Sequence, residues 1–235
     1  MRKEQEVIDA LDDVPYEEIP WAQDLEFKPK FIERYSQLTD FSTFKKCSLS
    51  FLRRSIRVNT LKISVEDLKK RLEGKWNLTP IPWCKEGFWI EHKKGERRDI
   101  GNLAEHALGY MYTQEAASMI PPVVLNPQPG EIILDIAAAP GSKTTQIAQY
   151  MNNEGLLIAN DYTADRMKPL SINLQRCGVS HAVVTKMHGQ YFKRAGIQFD
   201  RILVDAPCSG TGTIRKSLKT LLIWNPGVVT RLSNT

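Results

Sequence analysis

Asp135-Ile-Ala-Ala-Ala-Pro-Gly-Ser-Lys-Thr-Thr145 decides the fold. It closes a short apolar run, Ile132-Ile-Leu-Asp135, and leads into Lys143 to Met151, which reads as a helix. A strand–loop–helix junction of this kind places a ligand beyond the carboxyl end of the strand in a doubly wound α/β sheet. The small residues from Ala137 to Gly141 let the backbone approach a ligand closely. The free N–H groups at the helix start favour a carboxylate or a phosphate.

Strands and helices alternate downstream. Leu156 to Ala159 is a second strand, and Thr163 to Arg176 a second helix closed by Gly178. Ala182 to Thr185 and Arg201 to Asp205 are a third and a fourth strand, and Pro226 to Leu232 a last helix. Continuous apolar strands between helices imply a parallel sheet covered on both faces. Upstream, Gly109 to Val124 reads as a helix stopped by Pro121-Pro122. Before it lies a small α/β unit. Ile56 to Leu61 is a strand, Ser64 caps a helix with Asp67 at the capping-box position, and Thr79–Trp83 and Gly87–Glu91 are short strands. Residues 1–50 read as helix and loop interrupted by Pro15, Pro20 and Pro29. The expected division is 1–107 and 108–235.

The loop is not a phosphate-binding P-loop. Ser142 separates Gly141 from Lys143, and Ile136 stands where the first Gly belongs. An S-adenosylmethionine site is the other reading, its ligand carrying a carboxylate and a ribose. The second strand runs into Asn160-Asp161, where an acidic residue can bind ribose hydroxyls. A bare helix cap is the plainer role for Asp161 alone, and the loop upstream favours the ribose.

Asp205-Ala-Pro-Cys-Ser-Gly-Thr-Gly212 follows the fourth strand. Carbon 5 of cytosine is a poor nucleophile, and a thiolate added to carbon 6 activates it. Such chemistry needs a cysteine, a donor near the ring nitrogen and a tight turn beneath a flat base. Cys208, Asp205 and Pro207 supply these types, Gly210 and Gly212 leave room for a base taken from its stack, and Lys143 can lower a thiol pKa or bind an acid. A lone Cys is usually a small hydrophobe and a lone Asp a cap, but the eight residues together are far less ordinary.

Four segments, Arg57-Val-Asn-Thr-Leu-Lys62, Gln114-Glu-Ala-Ala-Ser-Met119, Asp135 to Thr145 and Asp205 to Lys216, make the chain resemble the Sun-type RNA cytosine-5 methyltransferases. The resemblance implies a Rossmann-like fold that binds S-adenosylmethionine through Ala138, Ala139, Pro140, Gly141, Ser142, Lys143 and Thr144 with Asp161 and Arg166. It implies that Asp205 touches cofactor and base, that Lys143 lines the site, and that the N-terminal unit helps hold RNA. Two departures stand out. The family has Asp-Gly-Arg after the third strand, its Asp on the adenine amine; this chain has His188-Gly-Gln190, and reduced cofactor affinity is expected. The family's nucleophile lies in a Ser/Thr-Cys pair on a later strand, with the Pro-Cys cysteine, here Cys208, assisting product release. Cys47, Cys84 and Cys177 do not match that context, and the chain is read as a fragment of a longer protein.

Composition agrees with this class. The chain has 235 residues, 42% hydrophobic and 25% charged, with net charge +5 and pI near 9.0. A basic balance tolerates nucleic acid. Lys45-Lys46, Arg53-Arg54, Lys93-Lys94 and Arg97-Arg98 suit phosphate, and equally a solvated surface. Trp76, Trp83 and Trp89 suit unpaired bases, and equally core packing. Scattered cysteines and histidines argue against zinc, and free thiols suggest a reducing, cytoplasmic compartment. The charged N-terminus, Met1-Arg-Lys-Glu-Gln-Glu, has no signal-peptide core, and no apolar run reaches membrane-spanning length.

The expected function is methylation of cytosine carbon 5 in RNA, and the compact plan tilts the substrate to tRNA over rRNA. A non-catalytic module binding cofactor or RNA is one rival. A DNA cytosine methyltransferase with Cys208 as nucleophile is the other, against which Ser209 to Lys216 argues.

Overall fold

The apolar runs after residue 131 do pair as a parallel sheet. In the computed structural model, which describes residues 17–233 except Gln23, Glu96, Arg98 and Pro207, the chain divides into two units. The charged N-terminus, Pro15, Arg98 and Pro207 lie outside the described residues. One unit is Arg53–Ala206; the other joins Met1–Leu52 to Pro207–Thr235. This differs from a cut between 107 and 108, because packing gathers segments that lie far apart in the chain.

The second unit begins with α1 (Pro29–Ser36) and α2 (Phe41–Ser48). Pro29 occupies the first turn of α1 and Pro20 opens a 3₁₀ turn. These prolines start helices rather than interrupt them, since the first turn has no intrahelical use for the missing N–H. The core is aromatic: Phe31 meets Tyr35 at 4.4 Å and Trp224 at 4.9 Å, with Phe27, Phe41 and Phe44 around them.

The unit Arg53–Ala206 holds two sheets. The first is antiparallel, order β2-β3-β1-β4, from β1 (Ser55–Val58), β2 (Trp76–Ile81), β3 (Cys84–His92) and β4 (Met111–Thr113). Helix α3 (Val65–Leu72) packs Leu68 and Leu72 against it, and Trp76 is 3% exposed in the same core. Trp76 is therefore a core residue, whereas Trp83 and Trp89 are half-buried and meet edge to face at 5.9 Å. Ser64 Oγ accepts from Asp67 N at 3.0 Å, the N-cap half of the expected capping box, and donates to the Asp67 carboxylate at 2.7 Å, where the box would have that carboxylate take the Ser64 backbone N–H. Ser64→Ala should cost about 1 kcal/mol. Thermal unfolding reads this as a fall of roughly 2–4 °C; an unmoved midpoint would show that the cap contributes nothing.

The stretch read as one helix from Gly109 to Val124 is three pieces. Met111–Thr113 is β4, paired with β1; Ala116–Met119 is a 3₁₀ turn; Ile120–Leu125 is a helix. After α4 (Ala104–Ala107), that helix is α5, and Pro121-Pro122 stand in its first turn, opening it instead of ending it.

The second sheet is parallel, order β7-β6-β5-β8, from β5 (Ile132–Asp135), β6 (Leu156–Asn160), β7 (Ala182–Thr185) and β8 (Arg201–Leu203). Helix α6 (Ser142–Tyr150) follows β5, and α7 (Ala164–Cys177) follows β6. Ile147 and Ala148 of α6 pack on Ile133, Leu157 and Leu203, while Leu134 and Ile158, pointing the other way, pack under Phe192. Gly178 closes α7 with φ 76°, as a left-handed cap requires. Strand order reverses between β5 and β8, which marks the crevice at the carboxyl ends as the place for a ligand. Among the described residues β8 pairs only with β5, and Ile202 (47%) and Val204 (61%) stand exposed there.

Candidate functional site

Asp135 ends β5, Asp161 follows β6, His188 follows β7 and Asp205 follows β8. Parallel strands thus deliver all four to one end of the sheet. The loop after β5 turns at Gly141, whose φ of 104° belongs to glycine. A Cβ there would meet Leu170 Cδ1 at 3.2 Å and Asn173 Cβ at 3.5 Å, so α7 packs directly under the turn.

Asp161 is 2% exposed. One carboxylate oxygen accepts from Ala139 N at 3.2 Å and faces Arg166 Nη1 at 3.3 Å; the other accepts from Thr163 N at 3.0 Å. Arg166 also donates to the Ala139 carbonyl. Loop and second strand end are therefore one rigid piece, with Ala138 and Ala139 buried and Pro140 exposed. Asn160 extends this piece. Its amide donates to Ile136 O and Met187 O, both at 3.0 Å, and its oxygen accepts from Thr185 and from Met187 N.

Asp135 is 1% exposed. Oδ2 accepts from Thr144 Oγ1 at 2.7 Å, but buried Oδ1 has no partner among the described residues. Burial raises its pKa to about 6, with Asp205 adding a smaller push, while bonds from Thr144 and Ala137 N and the charge of Lys143 pull the other way. An orphaned buried acceptor in a crevice marks room for a donor or cation.

Lys143 reaches across to Asp205, Nζ to Oδ2 at 2.5 Å. His188 is exposed and stacks on Tyr162, ring centres 3.9 Å apart, with Tyr191 edge-on at 5.8 Å. Cys208 belongs to the other unit, where it is exposed and its Sγ accepts from Gly210 N at 3.4 Å. Among the described residues no group of three His, Cys, Asp or Glu is placed to hold a metal. No helix among them is long and apolar enough to cross a membrane.

Three residues of the crevice were not singled out from sequence. Asp135 heads the loop, and an acid at a strand end is a visible signal; its orphaned oxygen is not. Asn160 stood beside Asp161. Tyr162 had no signal, because its partner His188 is distant in the chain.

Two family models match: "16S rRNA methyltransferase RsmB/F" over residues 122–234, and "N-terminal domain of 16S rRNA methyltransferase RsmF" over residues 27–116. The chain is 53% identical to the tRNA (cytosine(49)-C(5))-methyltransferase of Pyrococcus abyssi over 85% of its own length and 64% of that protein's. It is 46% identical to the ribosomal RNA small subunit methyltransferase F of Shewanella oneidensis, over 90% of its length and 46% of that protein's. Among solved structures, a methyltransferase homolog protein from Pyrococcus horikoshii superposes with a TM-score of 0.68 at 37% identity, covering 82% of this chain and 67% of that one. The chain thus spans from about half to under two thirds of the length of these curated relatives.

Proposed function

Because the chain belongs to the Sun-type family of RNA cytosine-5 methyltransferases, we propose that it forms the cofactor-binding and base-holding part of an enzyme that methylates carbon 5 of cytosine in RNA, tRNA before rRNA. The observation that carries the reading is the convergence of Asp135, Asp161 and Asp205 at the carboxyl ends of the neighbouring strands β5, β6 and β8. The tRNA preference is supported by the 53% identity to a relative named for that substrate.

The crevice fits S-adenosylmethionine. Oδ1 of Asp135 lacks a partner among the described residues, a buried acceptor that a ligand ammonium would satisfy. Asp161, fixed by Ala139 N, Arg166 and Thr163 N, keeps a lone pair on Oδ1 for a ribose hydroxyl. The N–H groups of Ser142, Lys143 and Thr144 in the first turn of α6 suit the carboxylate. His188 on Tyr162 offers a flat edge for adenine in place of the family's Asp. When bound, S-adenosylmethionine supplies an electrophilic methyl group on a sulfonium.

The protein's own groups do the rest. Asp205, oriented by Lys143, accepts hydrogen bonds from the exocyclic amine of the base. Cys208, exposed on its turn, assists release of the product. The N-terminal sheet offers RNA a basic, aromatic surface in which Arg53 lies over Trp89 at 4.5 Å. Thiols free of disulfides support a cytoplasmic setting.

The test is incubation with labelled S-adenosylmethionine and, separately, tRNA, rRNA and duplex DNA. Label at cytosine carbon 5 of tRNA is expected when this chain is part of a protein that also carries the nucleophilic cysteine, and S-adenosylhomocysteine binding is expected of the chain itself. Label in DNA alone, or no binding of S-adenosylhomocysteine to the crevice, overturns the reading.

A further inference from the structure

Arg57 lies in β1, fully buried, and makes no ion pair among the described residues. Its donors go to the first turn of α6: Nη2 to Thr145 Oγ1 at 2.9 Å and Nη1 to Ser142 O at 3.4 Å. Thr145 Oγ1 passes a bond on to the same Ser142 carbonyl at 3.1 Å. Nε has no partner. The guanidinium lies 5.8 Å from the Tyr112 ring centre, and Cys177, Cys84 and Tyr150 are also near it; the last two contact the buried Glu86.

A buried, uncompensated cation is costly, and a neutral side chain could tie down one turn of helix at less expense. A guanidinium keeps its charge at neutral pH. In a dry interior its field reaches further than that of an exposed lysine. Ser142 is the residue after Gly141, so this charge stands against the turn that carries the loop's free N–H groups. Lys143, the other cation of that turn, is engaged by Asp205. The anions of the turn are Asp205, held by Lys143, and the buried Asp135, held by Thr144; neither pairs with Arg57.

We propose that Arg57 is a positioning residue that clamps the first turn of α6 and gives the loop before it a preference for ligands bearing a carboxylate. The proposal rests on reading that loop as the cofactor site.

Two probes separate the parts. S-adenosylhomocysteine carries the carboxylate; 5′-methylthioadenosine keeps nucleoside and thioether without it. Calorimetry should show that Arg57→Met weakens the first about tenfold and the second less than about twofold, so their affinity ratio falls. Parallel weakening of both ligands by Arg57→Met, leaving their ratio unmoved, overturns the proposal. If Arg57→Met does not fold, Thr145→Val decides: a ratio reduced about threefold supports the proposal, and an unchanged ratio overturns it. Wild-type protein that binds neither probe would instead sink the cofactor reading itself.

Discussion

Asp161→Ala should weaken S-adenosylhomocysteine binding roughly 10- to 100-fold, the cost of losing hydrogen bonds to a charged acceptor. Two effects combine. The ribose hydroxyls lose their acceptor, and Ala139 N and Arg166 lose the carboxylate that holds the loop against β6. Asp161→Asn keeps the shape but turns a donor toward one of these groups, so it should fall between Ala and wild type. Titration calorimetry with a parallel melting curve separates lost affinity from lost fold. A change of less than about threefold in a folded Asp161→Ala protein would remove Asp161 from the ribose site.

Asp135→Asn should stabilise the ligand-free protein at pH 7 by on the order of 2–3 kcal/mol, since one pKa unit is worth about 1.4 kcal/mol. The group's pKa rises from 3.8 to about 6 on folding, chiefly through burial. Between those values the folded state holds more protons than the unfolded one. Stability therefore falls as pH rises through this window, and the loss persists above it. Asparagine carries no charge and still offers Thr144 an acceptor. Urea unfolding at pH 7 and pH 4 tests this: the gain should be present at the first and small at the second. An Asp135→Asn protein no more stable than wild type at pH 7 would show that the carboxylate is already satisfied.

The parallel sheet was legible because each strand is a short apolar run beside its own helix, a local signal. Arg201–Leu203 and Ile132–Asp135 stood out as runs before their pairing was known. Met111–Thr113 did not, because what makes it a strand is β1, more than fifty residues earlier in sequence. Pro29, Pro121 and Pro122 were read as breaks because proline punctuates either end of a helix, and only the geometry shows which. Nor does any pattern announce that Phe31 packs on Trp224. Of the candidate site, Asp161 is legible from its place after a strand, whereas the roles of Ala138 to Thr144 and Asp205 come from the family resemblance. The bare oxygen of Asp135 and the stacking of Tyr162 on His188 exist only once the strands are side by side.

The outer side of β8 has a consequence for the protein in concentrated solution. Its backbone groups on the side away from β5 are a template for a further strand, and Ile202 and Val204 beside them are apolar. The charges on either side of them, Arg201 and Asp205, are held by Glu131 and Lys143. A further strand, from a longer chain or from a second copy, would continue the sheet at this rim. A lysine placed at Val204 would blunt that rim without entering the core.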